Sequence, residues 1–225
     1  TTQPGFAGKP LIELNGASAG TSSSGLTIDA GNSTVKDLVI NRFAGVGIVL
    51  KTQGGDTLVG NYLGTDVTGT VRVGGGGVFI TSVGNTIGGT TPGDGNLISG
   101  NGGPGLRMSN SGNNLVEGNF IGTDITGTKV LNNNGHGIYI DGGLGSNVIG
   151  GTTAAARNLI PGNNYGVWIS TFGYGSASDA SNVVEGNYIG TDATGNAALG
   201  NTVGGVYFYG SANNIVGGSV NGAGN

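Results

Sequence analysis

The sequence has no cysteine, and only 9% of its 225 residues are charged. The absence of cysteine excludes disulfide bonds and zinc sites built on thiolates. With 8 basic residues against 12 acidic ones and no basic stripe, binding to nucleic acid or to an anionic membrane surface is not expected. No apolar run is long enough to cross a bilayer as a helix, so membrane insertion is not expected either.

Helical periodicity is also missing, because no stretch repeats its apolar residues every 3.6 positions. Glycine is abundant instead: 52 glycines and 5 prolines make up about a quarter of the chain. Such a content without periodicity is typical of disorder. Here the hydrophobic residues recur in register, so the glycines indicate many tight turns in an ordered chain.

The most regular feature is a glycine followed by a hydrophobe-x-hydrophobe strand. It starts at Gly25, Gly47, Gly77, Gly105, Gly137, Gly166 and Gly205, in steps of 22, 30, 28, 32, 29 and 39 residues. Self-similarity at a near-constant period predicts a solenoid, in which each repeat buries its apolar edge against its neighbours.

Two further columns accompany these strands. One is a row of aliphatic residues: Leu38, Leu58, Ile87, Val116, Ile149, Val184 and Val216. The other lies two residues after an asparagine: Phe43, Leu63, Ile98, Ile121, Ile160 and Ile189, led by Asn41, Asn61, Asn96, Asn119, Asn158 and Asn187. Each coil is therefore predicted to contain three short strands with in–out–in alternation.

The recurrent asparagine is expected at a sharp bend, since asparagine tolerates the left-handed conformation. Stacked coil on coil, such amides can hydrogen-bond to one another, as in cross-β ladders. A second row precedes the aliphatic column and is interpreted as turn residues: Asp56, Asn85, Asn114, Asn147, Asn182 and Asn214. A row of ligand-binding amides is the less favoured alternative.

Two kinds of coil alternate along the chain. The segment 60–69, Gly-Asn-Tyr-Leu-Gly-Thr-Asp-Val-Thr-Gly, recurs at 118–127 and 186–195, so the genetic repeat spans two coils. On these motifs the whole chain resembles the pectin lyase-like superfamily. The resemblance implies an all-β fold, a right-handed single-stranded parallel β-helix of about seven coils with three short strands per coil. Residues 1–225 are expected to form one domain, interpreted as a segment of a longer protein.

The resemblance also implies a polysaccharide lyase, hydrolase or epimerase as one function. Polygalacturonases of this fold have a Gly-His-Gly motif, which Gly135-His136-Gly137 matches. Their Asp-Asp and Arg-x-Lys motifs are missing from this sequence. We therefore interpret His136 as a variable turn residue and predict no catalytic residues.

The acidic residues also give no convincing catalytic or metal site. Asp66, Asp124 and Asp192 recur in Gly-Thr-Asp-x-Thr-Gly loops, but positions two coils apart are separated by roughly 10 Å and cannot share one calcium ion. The same spacing separates Glu117 from Glu185, which is marginally too far for a pair of glycosidase carboxylates. We favour hydrogen-bonded turns for the loops, keep calcium as the alternative, and predict no metal site and no cofactor.

The candidate binding residues are the outward positions of the glycine-led strands. Phe79, Arg107, Tyr139, Trp168 and Tyr207 are expected to form one ridge, with Asp141 and Tyr209 two residues further on and also outward. Exposed apolar stripes mark interaction sites, and aromatic rings beside polar groups suit the C–H faces and hydroxyls of sugars. The segment 171–182, with Phe172 and Tyr174, is expected to wall this ridge. The alternative is that these residues only stabilise the sheet through neighbouring-strand pairs.

Three functions follow from these observations. The first is a non-catalytic extracellular or cell-surface module, an adhesin or fibre segment that binds polysaccharide along the ridge. The second is the polysaccharide-cleaving or epimerising enzyme that the resemblance implies. The third is a structural filament whose uncapped coil ends self-associate.

Overall fold

The computed structural model is a parallel β-helix, and it describes residues 9–142, 144–171 and 181–225. Twenty-one strands form three parallel sheets of seven strands each, and every coil gives one strand to each sheet. Across these ranges the structure contains no helix, and so none that could span a membrane. The predicted fold class, with about seven coils and three strands per coil, is confirmed.

The strands are numbered in chain order. Sheet 1 consists of β1 (Ile12–Asn15), β4 (Leu38–Asn41), β7 (Tyr62–Leu63), β10 (Leu97–Ile98), β13 (Phe120–Ile121), β16 (Leu159–Ile160) and β19 (Tyr188–Ile189). Sheet 2, the glycine-led sheet, consists of β2 (Leu26–Ile28), β5 (Ile48–Leu50), β8 (Val78–Ile80), β11 (Leu106–Ser109), β14 (Ile138–Asp141), β17 (Tyr165–Ser170) and β20 (Gly204–Tyr209). Sheet 3 consists of β3 (Thr34–Lys36), β6 (Thr57–Val59), β9 (Thr86–Gly88), β12 (Leu115–Glu117), β15 (Val148–Gly150), β18 (Val183–Glu185) and β21 (Ile215–Val216).

One continuous hydrophobic core runs along the axis and receives inward side chains from all three sheets. Ile138 and Ile140 represent sheet 2, Ile149 sheet 3 and Ile160 sheet 1, and all four are buried. Burying a side chain of this size contributes about 1.5–3 kcal/mol. Because each residue packs against its equivalents in the coils above and below, the aliphatic columns stabilise the stack along its whole length.

The structure departs from the predicted columns at β3 and β4. Val35, and not Leu38, pairs with Leu58 in sheet 3, while Ile40, and not Phe43, pairs with Leu63 in sheet 1. The reason is that Leu38 occupies the position that asparagine holds in later coils, and its N–H donates to Asn61 Oδ1 at 3.1 Å. The asparagine pattern therefore predicted Asn41 at the bend, whereas the bend position is held by Leu38, three residues earlier.

The predicted asparagine ladder is present, and its members from Asn61 to Asn187 are buried. In the row Asn61, Asn96, Asn119, Asn158, Asn187 and Asn225, each Nδ2 donates to Oδ1 of the next member at 2.9–3.0 Å. The row preceding sheet 3, from Asn85 through Asn114, Asn147 and Asn182 to Asn214, forms a second ladder at 2.8–2.9 Å. A third row that we had not predicted links Asn101, Asn133, Asn163 and Asn201.

The second ladder begins with an aspartate, and this difference leads to a prediction. Asp56 N–H donates to Asn85 Oδ1 at 3.0 Å, and Asp56 Oδ1 accepts from Ser33 N–H. Asp56 Oδ2 is buried without a hydrogen-bond partner in the described part of the chain. Asp56→Asn would replace that oxygen with the Nδ2 donor that later members use, so we expect a stabilisation of about 1–3 kcal/mol.

Guanidinium-induced unfolding of both proteins measures this change. Asp29→Asn is the matched control, because it removes an equal charge from a carboxylate whose side chain is 62% exposed. A loss of stability in Asp56→Asn would contradict the assignment of Asp56 to the ladder.

Candidate functional site

The five predicted ridge residues lie opposite one another on five consecutive coils. Phe79 pairs with Arg107, Arg107 with Tyr139, Tyr139 with Trp168, and Trp168 with Tyr207. All are partly exposed, with Tyr207 at 36%. The predicted alignment is confirmed, and the part of these residues in binding stays a prediction.

The ridge is continuous at the level of side-chain contacts. The guanidinium carbon of Arg107 lies 5.3 Å from the ring centroid of Phe79 and 5.5 Å from that of Tyr139. Tyr139 and Trp168 meet edge to face at 6.3 Å between centroids, and Trp168 and Tyr207 do so at 4.8 Å. Edge-to-face pairs contribute about 0.5–1.5 kcal/mol each beyond their burial, so the ridge also stabilises sheet 2.

Arg107 is held in place by Asp141. Its Nε donates to Asp141 Oδ2 at 3.1 Å, and its Nη2 donates to the same oxygen. We predicted Asp141 as outward-facing beside the ridge, but only 4% of it is exposed, and its Oδ1 is buried with no hydrogen-bond partner within the described ranges. The Arg107 side chain remains 43% exposed, so the pair presents its cationic half to the surface.

The other positions two residues beyond the ridge are not all alike. Ser109 and Ser170, at the equivalent positions of β11 and β17, are buried as Asp141 is, whereas Tyr209 is 45% exposed. The rings of Tyr207 and Tyr209 are nearly parallel, 23° apart, with centroids at 6.4 Å. The ridge therefore broadens at the last coil, where two tyrosine rings face outward together.

His136 belongs to this surface, although the sequence indicated only a turn residue. It occupies the corner before β14, one coil beyond Pro104, and its ring lies 4.6 Å from Trp168 and 5.4 Å from Tyr139. Burial lowers the pKa of His136, so the imidazole is neutral at pH 7. Its Nδ1 is buried, and the described residues offer it no hydrogen-bond partner.

Tyr165 is a second member that the sequence analysis missed. Its ring lies 4.9 Å from Trp168 and 5.2 Å from Tyr207. It occupies the same corner as His136 one coil later, since the N–H of Gly137 donates to its carbonyl oxygen. The sequence could have indicated both residues, because His136 and Tyr165 each stand directly before the glycine that leads a strand of sheet 2.

A groove of about 460 Å³ continues the ridge toward the first coils. Glycines form half of its lining, namely Gly45, Gly75, Gly76, Gly77, Gly102 and Gly103. Phe79 and Arg107 border it on the ridge side, and Pro104 lies at the corner. The corner is recessed because these glycines have no side chains, and the recurring glycines ahead of each strand were the sequence signal for it.

The aspartate loops are hydrogen-bonded turns, as predicted. Asp66 accepts from the Thr68 hydroxyl and from the backbone N–H groups of Thr70 and Val71. Asp124 and Asp192 repeat this pattern, and the hydrogen bond from Thr194 is the main cause that lowers the pKa of Asp192. No group of three potential metal ligands occurs among the residues described.

The register of sheet 3 also places Glu117 and Glu185, which were predicted to be too far apart for a catalytic pair. Glu117 follows Val116, which pairs with Ile149, and Gly150 pairs with Glu185, so Gly150 separates the two glutamates as expected from the register. Burial raises the pKa of Glu117. Phe172 and Tyr174, which were predicted to wall the ridge, lie outside the described residues.

Comparisons with known proteins add no family to this picture. Searches against protein-family models, curated proteins and solved structures each gave no match. The class of protein is therefore defined by the fold itself, a parallel β-helix with asparagine ladders.

Proposed function

We propose that this chain is a non-catalytic β-helix module of the pectin lyase-like type that binds a polysaccharide outside the cell or on its surface. The observation that carries the proposal is the row of Phe79, Arg107, Tyr139, Trp168 and Tyr207 beside the glycine-lined groove. The ligand would lie along the helix axis, across the coils.

The spacing of the ridge supports an extended chain ligand. Consecutive coils present one large side chain each, about 4.8 Å apart, which is comparable with the length of one pyranose unit. A repeating polymer can thus place equivalent groups against successive coils. Sugar rings offer apolar C–H faces to Tyr207 and Tyr209, whose exposed rings are nearly parallel.

Polar groups near the rings supply the second half of the recognition. Trp168 Nε1, His136 Nδ1 and Asp141 Oδ1 are buried polar atoms that have no partner among the described side chains and backbone. Buried polar groups are normally hydrogen-bonded, so atoms without a partner at one surface favour a ligand that supplies hydrogen bonds. Hydroxyl groups of a polysaccharide fit this requirement.

Binding of purified protein to an array of soluble polysaccharides tests the proposal. Trp168 is the only tryptophan of the chain, so its fluorescence also reports binding directly. We expect Trp168→Ala to weaken binding at least tenfold, as truncation of a central aromatic residue does in binding sites.

Tyr188→Ala is the matched control, since it removes an aromatic ring from sheet 1, where Tyr188 packs under Arg157 at 4.0 Å. Binding that is equal in both variants, or no binding by the wild-type protein, would reject the proposal. Shortened or unsaturated products after incubation would favour an enzyme instead, and concentration-dependent rods in electron micrographs would favour a filament.

A further inference from the structure

The ridge contains one cation, and its charge is already compensated. Arg107 donates two hydrogen bonds to Asp141 Oδ2, one of them at 3.1 Å. The neighbouring side chains Phe79, Tyr139, Trp168 and Tyr207 are uncharged, and the buried His136 ring is neutral. Lys51 and Asp29, which directly follow β5 and β2 of sheet 2, pair with each other at 3.4 Å.

This balance has a consequence for anionic ligands. A polyanion meeting Arg107 also meets the Asp141 carboxylate directly behind it, so the attraction to the guanidinium is offset by repulsion. Asp141 is buried, and solvent therefore screens its charge less than it would at the surface. A carboxylate or sulfate group of a ligand would therefore have to compete with Asp141 for the N–H groups of Arg107.

The buried polar atoms set a second requirement. Asp141 Oδ1 needs a hydrogen-bond donor, whereas Trp168 Nε1 needs an acceptor, and neither finds one among the described residues. A hydroxyl group both donates and accepts, so one type of ligand group satisfies both atoms. Carboxylate and sulfate groups only accept, so wherever such a group takes the place of a hydroxyl beside Asp141, the Oδ1 atom gains no donor and meets a second negative charge.

We propose that the ridge binds an uncharged polysaccharide through pyranose rings and hydroxyl groups, and that the Arg107–Asp141 pair excludes polyuronates and sulfated glycans. This inference rests on the proposed function and narrows its ligand class. Arg107 contributes its remaining N–H donors and Asp141 its Oδ1 acceptor, while the aromatic rings supply the apolar contact.

Affinity electrophoresis and Trp168 fluorescence test the charge preference with two sets of probes. The neutral set is a soluble β-glucan, a galactomannan and an arabinoxylan, and the anionic set is polygalacturonate and dextran sulfate. We expect the wild-type protein to bind a neutral polymer at least tenfold more tightly than either polyanion.

Asp141→Asn probes the role of the pair. The amide keeps the shape of the side chain but releases the charge of Arg107, so we expect binding to polygalacturonate that salt weakens, and about tenfold weaker binding to the neutral polymer. Asp29→Asn removes an equal charge from the exposed pair with Lys51 and should leave both affinities unchanged. Thermal unfolding of the two variants shows whether each is folded.

The possible outcomes separate the two proposals. Wild-type binding to a polyanion as tight as to the neutral polymers would overturn this inference while the proposed function stands, and so would a folded Asp141→Asn variant that gains no anionic binding. If Asp141→Asn does not fold, the wild-type preference decides alone. Binding to no polymer of either set would reject the proposed function and the inference with it.

Discussion

Replacing Asn119 with alanine should lower the free energy of unfolding by about 3 kcal/mol. Asn119 Oδ1 accepts from the backbone N–H and the Nδ2 of Asn96 at 3.0 and 2.9 Å, and its Nδ2 donates to the carbonyl oxygens of Ile87 and Glu117 and to Asn158 Oδ1. All of Asn119 is buried. Alanine would leave the N–H of Asn96 buried without an acceptor and interrupt the ladder in the middle of the solenoid.

Asn134→Ala is the control for this experiment. Asn134 is exposed, and substitutions at such positions change stability by less than about 0.5 kcal/mol. Guanidinium unfolding measures both variants, and hydrogen exchange should localise the loss of protection to the coils that contain Asn96 and Asn158. Equal stability of the two variants would mean that the ladder contributes nothing beyond an ordinary turn.

Gly88→Ala should destabilise the protein by about 4 kcal/mol, which is the largest effect of a single methyl group that we expect. Gly88 has a φ of 91°, a conformation that costs a residue with a side chain about 1–3 kcal/mol. A Cβ at this position would also overlap the carbonyl oxygen of Glu117 in the adjacent coil, and overpacking of this kind costs about 1–3 kcal/mol more. The oxygen belongs to the backbone of β12, which is paired on both sides and cannot move aside.

Gly200→Ala provides the comparison, because a Cβ at Gly200 meets no atom within 4 Å and its φ is not positive. Alanine there should be neutral or stabilise by about 0.4–1 kcal/mol through the unfolded state. The difference between the two unfolding midpoints therefore measures the combined cost of the positive φ and of the close approach of the coils at Gly88. Similar midpoints would contradict the close contact between β9 and β12.

Most of the fold could be predicted from the sequence because its periodicity is strong. Residues at equivalent positions of the glycine-led strands pair with one another in the sheet, from Leu26 with Ile48 to Val167 with Val206. The predicted columns were misplaced at β3 and β4 because Leu38 fills the place of an asparagine there, and the nearest asparagine in the sequence, Asn41, lies at the end of β4. A prediction that relies on one recurring residue, here the asparagine of the ladder, fails in a coil that has another residue at that position.

The site could be predicted only in part. Alternation along β-strands is fixed at two residues, so the outward row of Phe79, Arg107, Tyr139, Trp168 and Tyr207 followed directly from the strand positions. His136 was missed because it lies at a corner, where side-chain direction depends on the turn and not on strand alternation. Tyr165 was missed because β17 begins one residue before the predicted glycine-led strand. The burial of Asp141 was missed because it depends on which side chains cover the end of β14.

The order of residues was sufficient to predict the solenoid, its three columns beyond β4, two of its three asparagine rows and the face on which the ridge lies. These features depend on the repeat period and on the stacking of similar units, and both can be recognised directly in the sequence. Three features emerged only from the folded chain: the pairing of Arg107 with Asp141, the packing of His136 and Tyr165 against Trp168, and the groove lined by Gly76 and Gly103. Turns differ in length and conformation from coil to coil, so these contacts depend on distances that no sequence period specifies.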